Sequence, residues 1–228
     1  MPIPTTPIPT TPIPTTPIPN VAVLISGRGS NLVALMDAAA RPGFPARIAL
    51  VLSNVPDAGG LPLAAARGIP AHCIDHRPFG RYRAAHEAAV HAALLDHDIS
   101  LVCLAGYMRL LTPFLVGAWG GRMLNVHPSL LPAFPGLHTH ARALAAGVKL
   151  HGCTVHLVTD EMDAGPIVAQ AAIPVLPGDD EDRLGARVLA QEHRIYPEAL
   201  RLHAAGLPGT YDPAAALLVP LPPPPPGP

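Results

Sequence analysis

Asn125, His127 and Asp163 supply a side-chain amide, an imidazole and a carboxylate, the groups that together hold an oxyanion and move a proton. The first two stand in the run Asn125-Val126-His127-Pro128-Ser129-Leu130-Leu131-Pro132, the third in Asp160-Glu161-Met162-Asp163-Ala164-Gly165-Pro166. Residues two apart in an extended backbone point to one face, so Asn125 and His127 share a side of their strand. Pro128 has no N–H to donate and ends strand pairing there. Each piece alone is common. A histidine before a proline is usually structural, and Asp-x-x-Asp-Ala-Gly usually makes a turn.

A second group lies at the start of the chain's regular structure, in Ser26-Gly27-Arg28-Gly29-Ser30-Asn31. Its glycines permit a tight turn and close backbone approach, and the helix that follows offers unpaired amides to an anion. Ser30 or Asn31 can cap that helix. A dinucleotide site fits less well. The third glycine of G-x-G-x-x-G falls on Leu32, and the next apolar run ends in Ser53-Asn54 with no acid to hold a ribose hydroxyl. One terminal phosphate suits the loop better than a pyrophosphate.

Twelve histidines raise the question of a metal, with His138-x-His140 as the best local pair. Zinc needs three or four convergent ligands, and no spacing supplies them, so no metal is expected. Cys73, Cys103 and Cys153 are far apart, form no C-x-x-C pair and sit in or beside apolar runs, where buried free thiols are expected. Such usage fits a cytoplasmic protein.

These groups need a scaffold, and 228 residues suffice for one sizeable core. With 49% hydrophobic and 14% charged residues the chain reads as globular, and with 4% aromatics its core must be aliphatic. A net charge of −1 with no Lys/Arg cluster argues against a nucleic-acid partner. No apolar run approaches the ~18 residues of a membrane span, so no membrane partner is expected.

Residues 2–16 are three copies of Pro-Ile-Pro-Thr-Thr. Their prolines remove amide donors, and a solvated polyproline II arm over residues 1–19 is expected. It has neither the basic nor the continuous apolar region of a signal peptide. Residues 211–228 read as a second proline-rich tail, leaving a single domain over residues 20–210. Within it, short apolar runs at 21–25, 46–53, 71–74, 101–105 and 123–126 read as buried strands. Segments 31–40, 61–67, 79–97 and 113–119 read as the helices between them. This alternation predicts an α/β, Rossmann-like, doubly wound and mainly parallel sheet. Segments 151–159 and 166–175 then read as an antiparallel pair joined by the acidic loop. A last helix is expected over 180–203, with Gly185 as its weak point.

The Asn125-to-Pro132 run resembles the active-site signature of the folate-dependent formyltransferases. The stretch from Asn20 to about Tyr196, four fifths of the chain, is similar to the phosphoribosylglycinamide formyltransferase family. Five more segments agree with that family in order and spacing: Val23-Leu24-Ile25-Ser26-Gly27-Arg28-Gly29-Ser30-Asn31; Leu104-Ala105-Gly106-Tyr107-Met108-Arg109; Phe134-Pro135-Gly136-Leu137-His138; His151-Gly152-Cys153-Thr154-Val155-His156; and Gln191-Glu192-His193-Arg194-Ile195-Tyr196.

The resemblance implies formyl transfer from 10-formyltetrahydrofolate, a cosubstrate, to the amine of glycinamide ribonucleotide. It implies catalytic roles for Asn125, His127 and Asp163. Folate is expected at Met108, Arg109, Leu110 and Leu111, at Thr159, Asp160, Glu161, Met162 and Asp163, and at Asn125. Arg83 joins them only by an alignment with a one-residue shift nearby, since Gly80-Arg81-Tyr82 departs from the family pattern. The ribonucleotide is expected at Gly29, Ser30, Asn31, Leu32 and Val33, with Glu192 on its ribose. A monomer or homodimer is expected. The competing readings are a 10-formyltetrahydrofolate hydrolase, which in this family carries a further N-terminal domain, and a catalytically silent folate- or nucleotide-binding protein. A methionyl-tRNA formyltransferase would need a further C-terminal domain and a basic surface.

Overall fold

The computed structural model describes residues 18–206 and 217–219. Strands and helices alternate along it: β1 (Asn20–Ile25), α1 (Ser30–Ala39), β2 (Arg47–Ser53), α2 (Gly60–Ala65), β3 (Ala71–Cys73), α3 (Arg83–Asp96), β4 (Ile99–Leu104), α4 (Pro113–Ala118) and β5 (Met123–His127). After a short helix α5 (Thr139–Ala145) come β6 (Leu150–Leu157), β7 (Ile167–Pro174), the long helix α6 (Glu181–Ala205) and a short strand β8 (Leu217–Val219). The sheet order is β3-β2-β1-β4-β5-β6-β7-β8. β1 to β5 pair in parallel, β5–β6 and β6–β7 are antiparallel, and β8 returns parallel to β7. The expected doubly wound sheet with its antiparallel pair is the architecture observed.

Strand alternation divides the core between the two faces. Val21, Val23 and Ile25 of β1 pack with Leu32 and Leu35 of α1 and with Leu184, Val188, Ile195 and Leu200 of α6. Ala22 and Leu24 face the other way, onto Val90 and Leu94 of α3 and Leu115 of α4. Burying each leucine or isoleucine contributes about 1.5–3 kcal/mol, so aliphatic bulk replaces the missing aromatics. Tyr196 is an exception. It is fully buried in α6, and its hydroxyl lies 3.1 Å from the carbonyls of both Leu104 and Leu124, tying the helix to the ends of β4 and β5.

Several expectations are corrected. The helix foreseen over 79–97 is broken: a 3-10 turn covers Arg77–Phe79, Gly80 takes φ 51°, and α3 starts only at Arg83. Glycine is at home in that left-handed region, and its turn re-aims the chain before α3. Neither Ser30 nor Asn31 caps α1; Gly29 occupies the cap position with φ 80°, and no side chain caps it. Cys73 is exposed, because β3 is the short edge strand, while Cys103 and Cys153 are buried. The tail foreseen over 211–228 includes β8, which was not foreseen; three residues between prolines and alanines carry too little pattern to read. Residues 1–17 of the expected arm lie outside the described residues.

Gly185 has a steric reason. A Cβ there would sit 3.2 Å from the ring of His140, so the glycine lets α6 pass close to α5. Asp180 caps α6 by accepting the Arg183 amide at 2.8 Å. Among the described residues no helix is long and apolar enough to cross a membrane.

Candidate active site

One row of paired residues runs across the sheet. Leu24 of β1 pairs with Leu104 of β4, Leu104 with Asn125 of β5, and Asn125 with His156 of β6. β1 and β4 then run out into two loops, at residues 26–29 and 105–112, so both begin level with Asn125. Leu124 and Val126 pack with α1 and α6, which turns Asn125 and His127 to the opposite face.

Ring nitrogens in this site have their protons assigned by their neighbours. His156 Nδ1 lies 2.9 Å from the Leu157 carbonyl, which can only accept, so that nitrogen carries the proton. Burial lowers the His156 pKa and keeps the ring neutral, leaving Nε2 as an acceptor. Asn125 Nδ2, 3.1 Å away, therefore donates to it. That contact orients the amide and leaves its second N–H free. His127, 6% exposed, donates from Nε2 to the Phe134 carbonyl at 3.0 Å. Its exchangeable nitrogen is then Nδ1, which stands 3.5 Å from Asp163 Oδ2.

Asp163 sits in the β6–β7 loop with φ 56°, and its Oδ2 accepts the Gly136 amide at 2.7 Å. Its Oδ1 is 3.8 Å from His156 Nε2, but with both atoms acceptors in the neutral ring this is proximity without an ion pair. Asn125, His127 and Asp163 are thus brought together. The site pairs an oriented amide N–H with an imidazole whose labile nitrogen faces a carboxylate. Such a set can stabilise an oxyanion on a carbonyl carbon and carry a proton beside it.

The 108–111 loop is open: Met108 is 72% and Leu110 62% exposed. Arg83, the first residue of α3, reaches it by donating to the Leu110 carbonyl at 3.4 Å. Glu87, one turn on, accepts the Thr112 amide at 2.8 Å and the Thr112 hydroxyl as well. In the acidic loop Thr159, Asp160, Glu161 and Met162 are exposed, and the Thr159 hydroxyl donates to the Glu161 carbonyl at 3.1 Å.

At the other loop, the amides of Ser30, Asn31 and Leu32 precede the first helical bond, Val33 N–H to Gly29 O at 2.9 Å. A Cβ on Gly29 would lie 2.8 Å from Gly60 Cα, so the loop is pressed against the start of α2. Asn31 Nδ2 donates to Glu192 Oε2 at 2.7 Å, with both residues buried. Burial raises the Glu192 pKa and the Asn31 bond opposes that rise. The Leu32 side chain is fully buried in the core, so only its backbone can meet a ligand. Val33 lines a groove of about 900 Å³ between α1 and α6, which includes neither His127 nor Asp163.

Four groups here were not singled out from the sequence: the His156 ring, the Phe134 carbonyl, the Gly136 amide and Glu87. His156 was readable as the last residue of the His151-to-His156 segment, paired by strand alternation with Thr154. Phe134 and Gly136 lie in the Phe134-to-His138 segment, but their contacts are made by a carbonyl and an amide that no side chain marks. Among the described residues no three His, Cys, Asp or Glu side chains are grouped to hold a metal ion; His140 Nδ1 lies 3.1 Å from His151 Nε2.

Comparison with known proteins gives the same outline. The chain is 46% identical to the phosphoribosylglycinamide formyltransferase of Escherichia coli K12 over 187 residues, covering 82% of this chain and 88% of that one. It is 47% identical to the human trifunctional purine biosynthetic protein adenosine-3 over 186 residues, but spans only 18% of that protein's length. The crystal structure of phosphoribosylglycinamide formyltransferase from Brucella melitensis superposes with a TM-score of 0.78 at 55% identity, covering 83% of this chain and 97% of that one. A formyltetrahydrofolate deformylase from Pseudomonas syringae aligns with a TM-score of 0.76 at 28% identity, covering 82% of this chain and 61% of that one. The formyl transferase family profile matches residues 19–200, and the chain belongs to that family.

Proposed function

We propose that this protein transfers the formyl group of 10-formyltetrahydrofolate to the primary amine of glycinamide ribonucleotide. The observation that carries the reading is the convergence of Asn125, His127 and Asp163 level with two loops, in a chain 46% identical to a phosphoribosylglycinamide formyltransferase over 82% of this chain and 88% of that one. The phosphate of the ribonucleotide rests on the free amides of Ser30, Asn31 and Leu32, where the helix dipole favours an anion. Glu192, held by Asn31, meets the ribose. The pterin lies along the 108–111 loop, with Arg83 and residues 159–163 closing its pocket.

In the reaction the amine attacks the formyl carbon, a C–N bond forms, and the carbonyl oxygen becomes an oxyanion. The free N–H of Asn125 donates to it, and because His156 holds the amide in place, no reorientation is needed as charge develops. Protonated His127 donates to the folate nitrogen as its bond to the formyl carbon breaks. Asp163 stabilises the imidazolium at 3.5 Å and takes up, through the site, the proton lost by the amine. The nearly complete burial of His127 and Asp163 keeps water away from the intermediate.

The deciding experiment follows 10-formyltetrahydrofolate with and without glycinamide ribonucleotide. Formyl transfer only when the amine is present is the expected result. Folate release without the amine would make the protein a hydrolase, the activity for which the Pseudomonas syringae deformylase is named.

A further inference from the structure

We propose that Ser26, in the loop assigned above to the ribonucleotide phosphate, is a positioning residue for the folate loop and sets affinity for the folate substrate. The inference rests on that functional reading and extends it to a residue outside the reacting centre.

The valences around the Ser26 hydroxyl leave one arrangement. The Met108 amide lies 2.8 Å from Ser26 Oγ and can only donate, so the oxygen accepts. The single hydroxyl proton then goes to Asn54 Oδ1, 2.5 Å away. Asn54 is 2% exposed and cannot turn to solvent. Its backbone carbonyl accepts from His76 Nδ1 at 2.8 Å, which fixes it further. Ser26 also donates its own amide to the Gly106 carbonyl at 3.1 Å. The serine therefore spans the gap between β1 and the folate loop with both its backbone and its side chain.

What makes this bond matter is that it is the tie of the Met108 amide, in the exposed middle of the folate loop. Tyr107 and Leu111 anchor the loop in the core. The Met108 and Leu110 side chains between them are mostly exposed, so packing of their own side chains does not fix the backbone at those two residues. Polar ties hold the stretch between: the Met108 amide to Ser26, the Arg109 amide to the Tyr107 carbonyl, the Leu110 carbonyl to Arg83 and the Thr112 amide to Glu87. Of these only the Ser26 bond takes up the Met108 amide itself. If backbone groups of this loop read the pterin edge, a freed Met108 amide rotates the donor and acceptor pattern that the pterin meets. The phosphate loop, by contrast, keeps its bond from the Gly60 amide to the Gly27 carbonyl and its first helical bond without the hydroxyl.

The test separates the two substrates. In Ser26→Ala the KM for 10-formyltetrahydrofolate should rise about tenfold, the size of one lost hydrogen bond with its donor left unpaired. The KM for glycinamide ribonucleotide should change less than about twofold on the same scale, and kcat should fall less than the folate KM rises. Ser26→Thr keeps the hydroxyl and should restore most of the folate affinity. Should Ser26→Ala not fold, Ser26→Cys keeps the volume with a weak acceptor and is read the same way. Equal rises in both KM values, or a rise for the ribonucleotide alone, would overturn the proposal. Direct calorimetry of folate binding decides it even if the wild-type protein shows no amine-dependent transfer, an outcome that would count against the functional reading instead.

Discussion

At the scale of single residues the site is a set of proton assignments made by fixed carbonyls. His127 is held by the Phe134 carbonyl, so its working nitrogen faces Asp163. His127→Ala and Asp163→Asn should each lower kcat by about 10²–10⁴-fold with little change in either KM, because in the proposed mechanism the lost interactions belong to the transition state. Asp163→Asn keeps an oxygen for the Gly136 amide and removes the charge, so a near-normal kcat there would show that geometry alone suffices. Steady-state kinetics on both substrates reads the difference. The loop proposed to hold the phosphate carries a separate expectation. Glycinamide riboside, which lacks the phosphate, should bind at least about tenfold more weakly than the ribonucleotide, with folate binding unchanged. Gly29→Val should lose ribonucleotide binding too. The cause is a collision with Gly60 and a φ of 80° that a β-branched residue resists. Calorimetry that instead finds folate binding lost in this variant would move the loop to the other ligand.

At the scale of elements, close backbone approaches place the acidic loop. Gly165 follows Asp163 by two residues, and a Cβ on it would lie 1.8 Å from the Leu157 carbonyl. Gly165→Ala must therefore push the loop off β6. It should cost several kcal/mol of stability, roughly 3 or more, as overpacking against a fixed backbone does, and lower kcat by displacing Asp163. Thermal unfolding and turnover measured together check this, and a stable, active Gly165→Ala would mean the loop is free to move. Much of this scale was legible beforehand. The apolar runs gave β1, β2, β4 and β5 to within a residue or two, because buried parallel strands are continuous stretches of Val, Ile and Leu. Gly80 was the misread element boundary. Alanine-rich composition beyond it looks helical, and only the backbone turn at φ 51° shows the break.

At the scale of the whole molecule, buried neutral histidines couple folding to pH. His151 is fully buried and its pKa is pushed down to about 4; burial also lowers His86, His140, His156, His193 and His203. Their unfolded pKa is about 6.5, so below that value the unfolded chain binds more protons than the folded one. Stability should be full above about pH 6.5 and decline as pH falls towards about 4. Melting temperatures across that window measure the slope, and His151→Asn should flatten it; an unchanged slope would assign the effect to other groups. The proline repeat offers few amides for pairing, and deleting residues 2–17 should leave melting temperature and turnover nearly unchanged. The deletion stops there because the Pro19 carbonyl accepts the Arg47 amide at 3.1 Å.

By itself the sequence determined which groups could do chemistry and the order in which strands and helices present them. Asn125 and His127 are read from strand alternation, Asp163 from the acidic loop, and the proposed anion site from glycines before a helix. All of these are local properties, set by period, φ preference and hydrogen-bonding inventory. Only the tertiary structure decided what each group touches. The register that sets Asn125 against His156, the Phe134 carbonyl that assigns the His127 proton, and the Ser26 bridge to Met108 join residues 7 to 82 positions apart. Two of those contacts involve a backbone atom, which every residue possesses and no side chain announces. Burial is likewise collective: Cys73 and Cys103 sit in similar apolar runs, yet one lies on the short edge strand and the other in the middle of the sheet. A strand's place in the sheet depends on all its neighbours, and that is why local pattern named the parts of this site while packing set their working geometry.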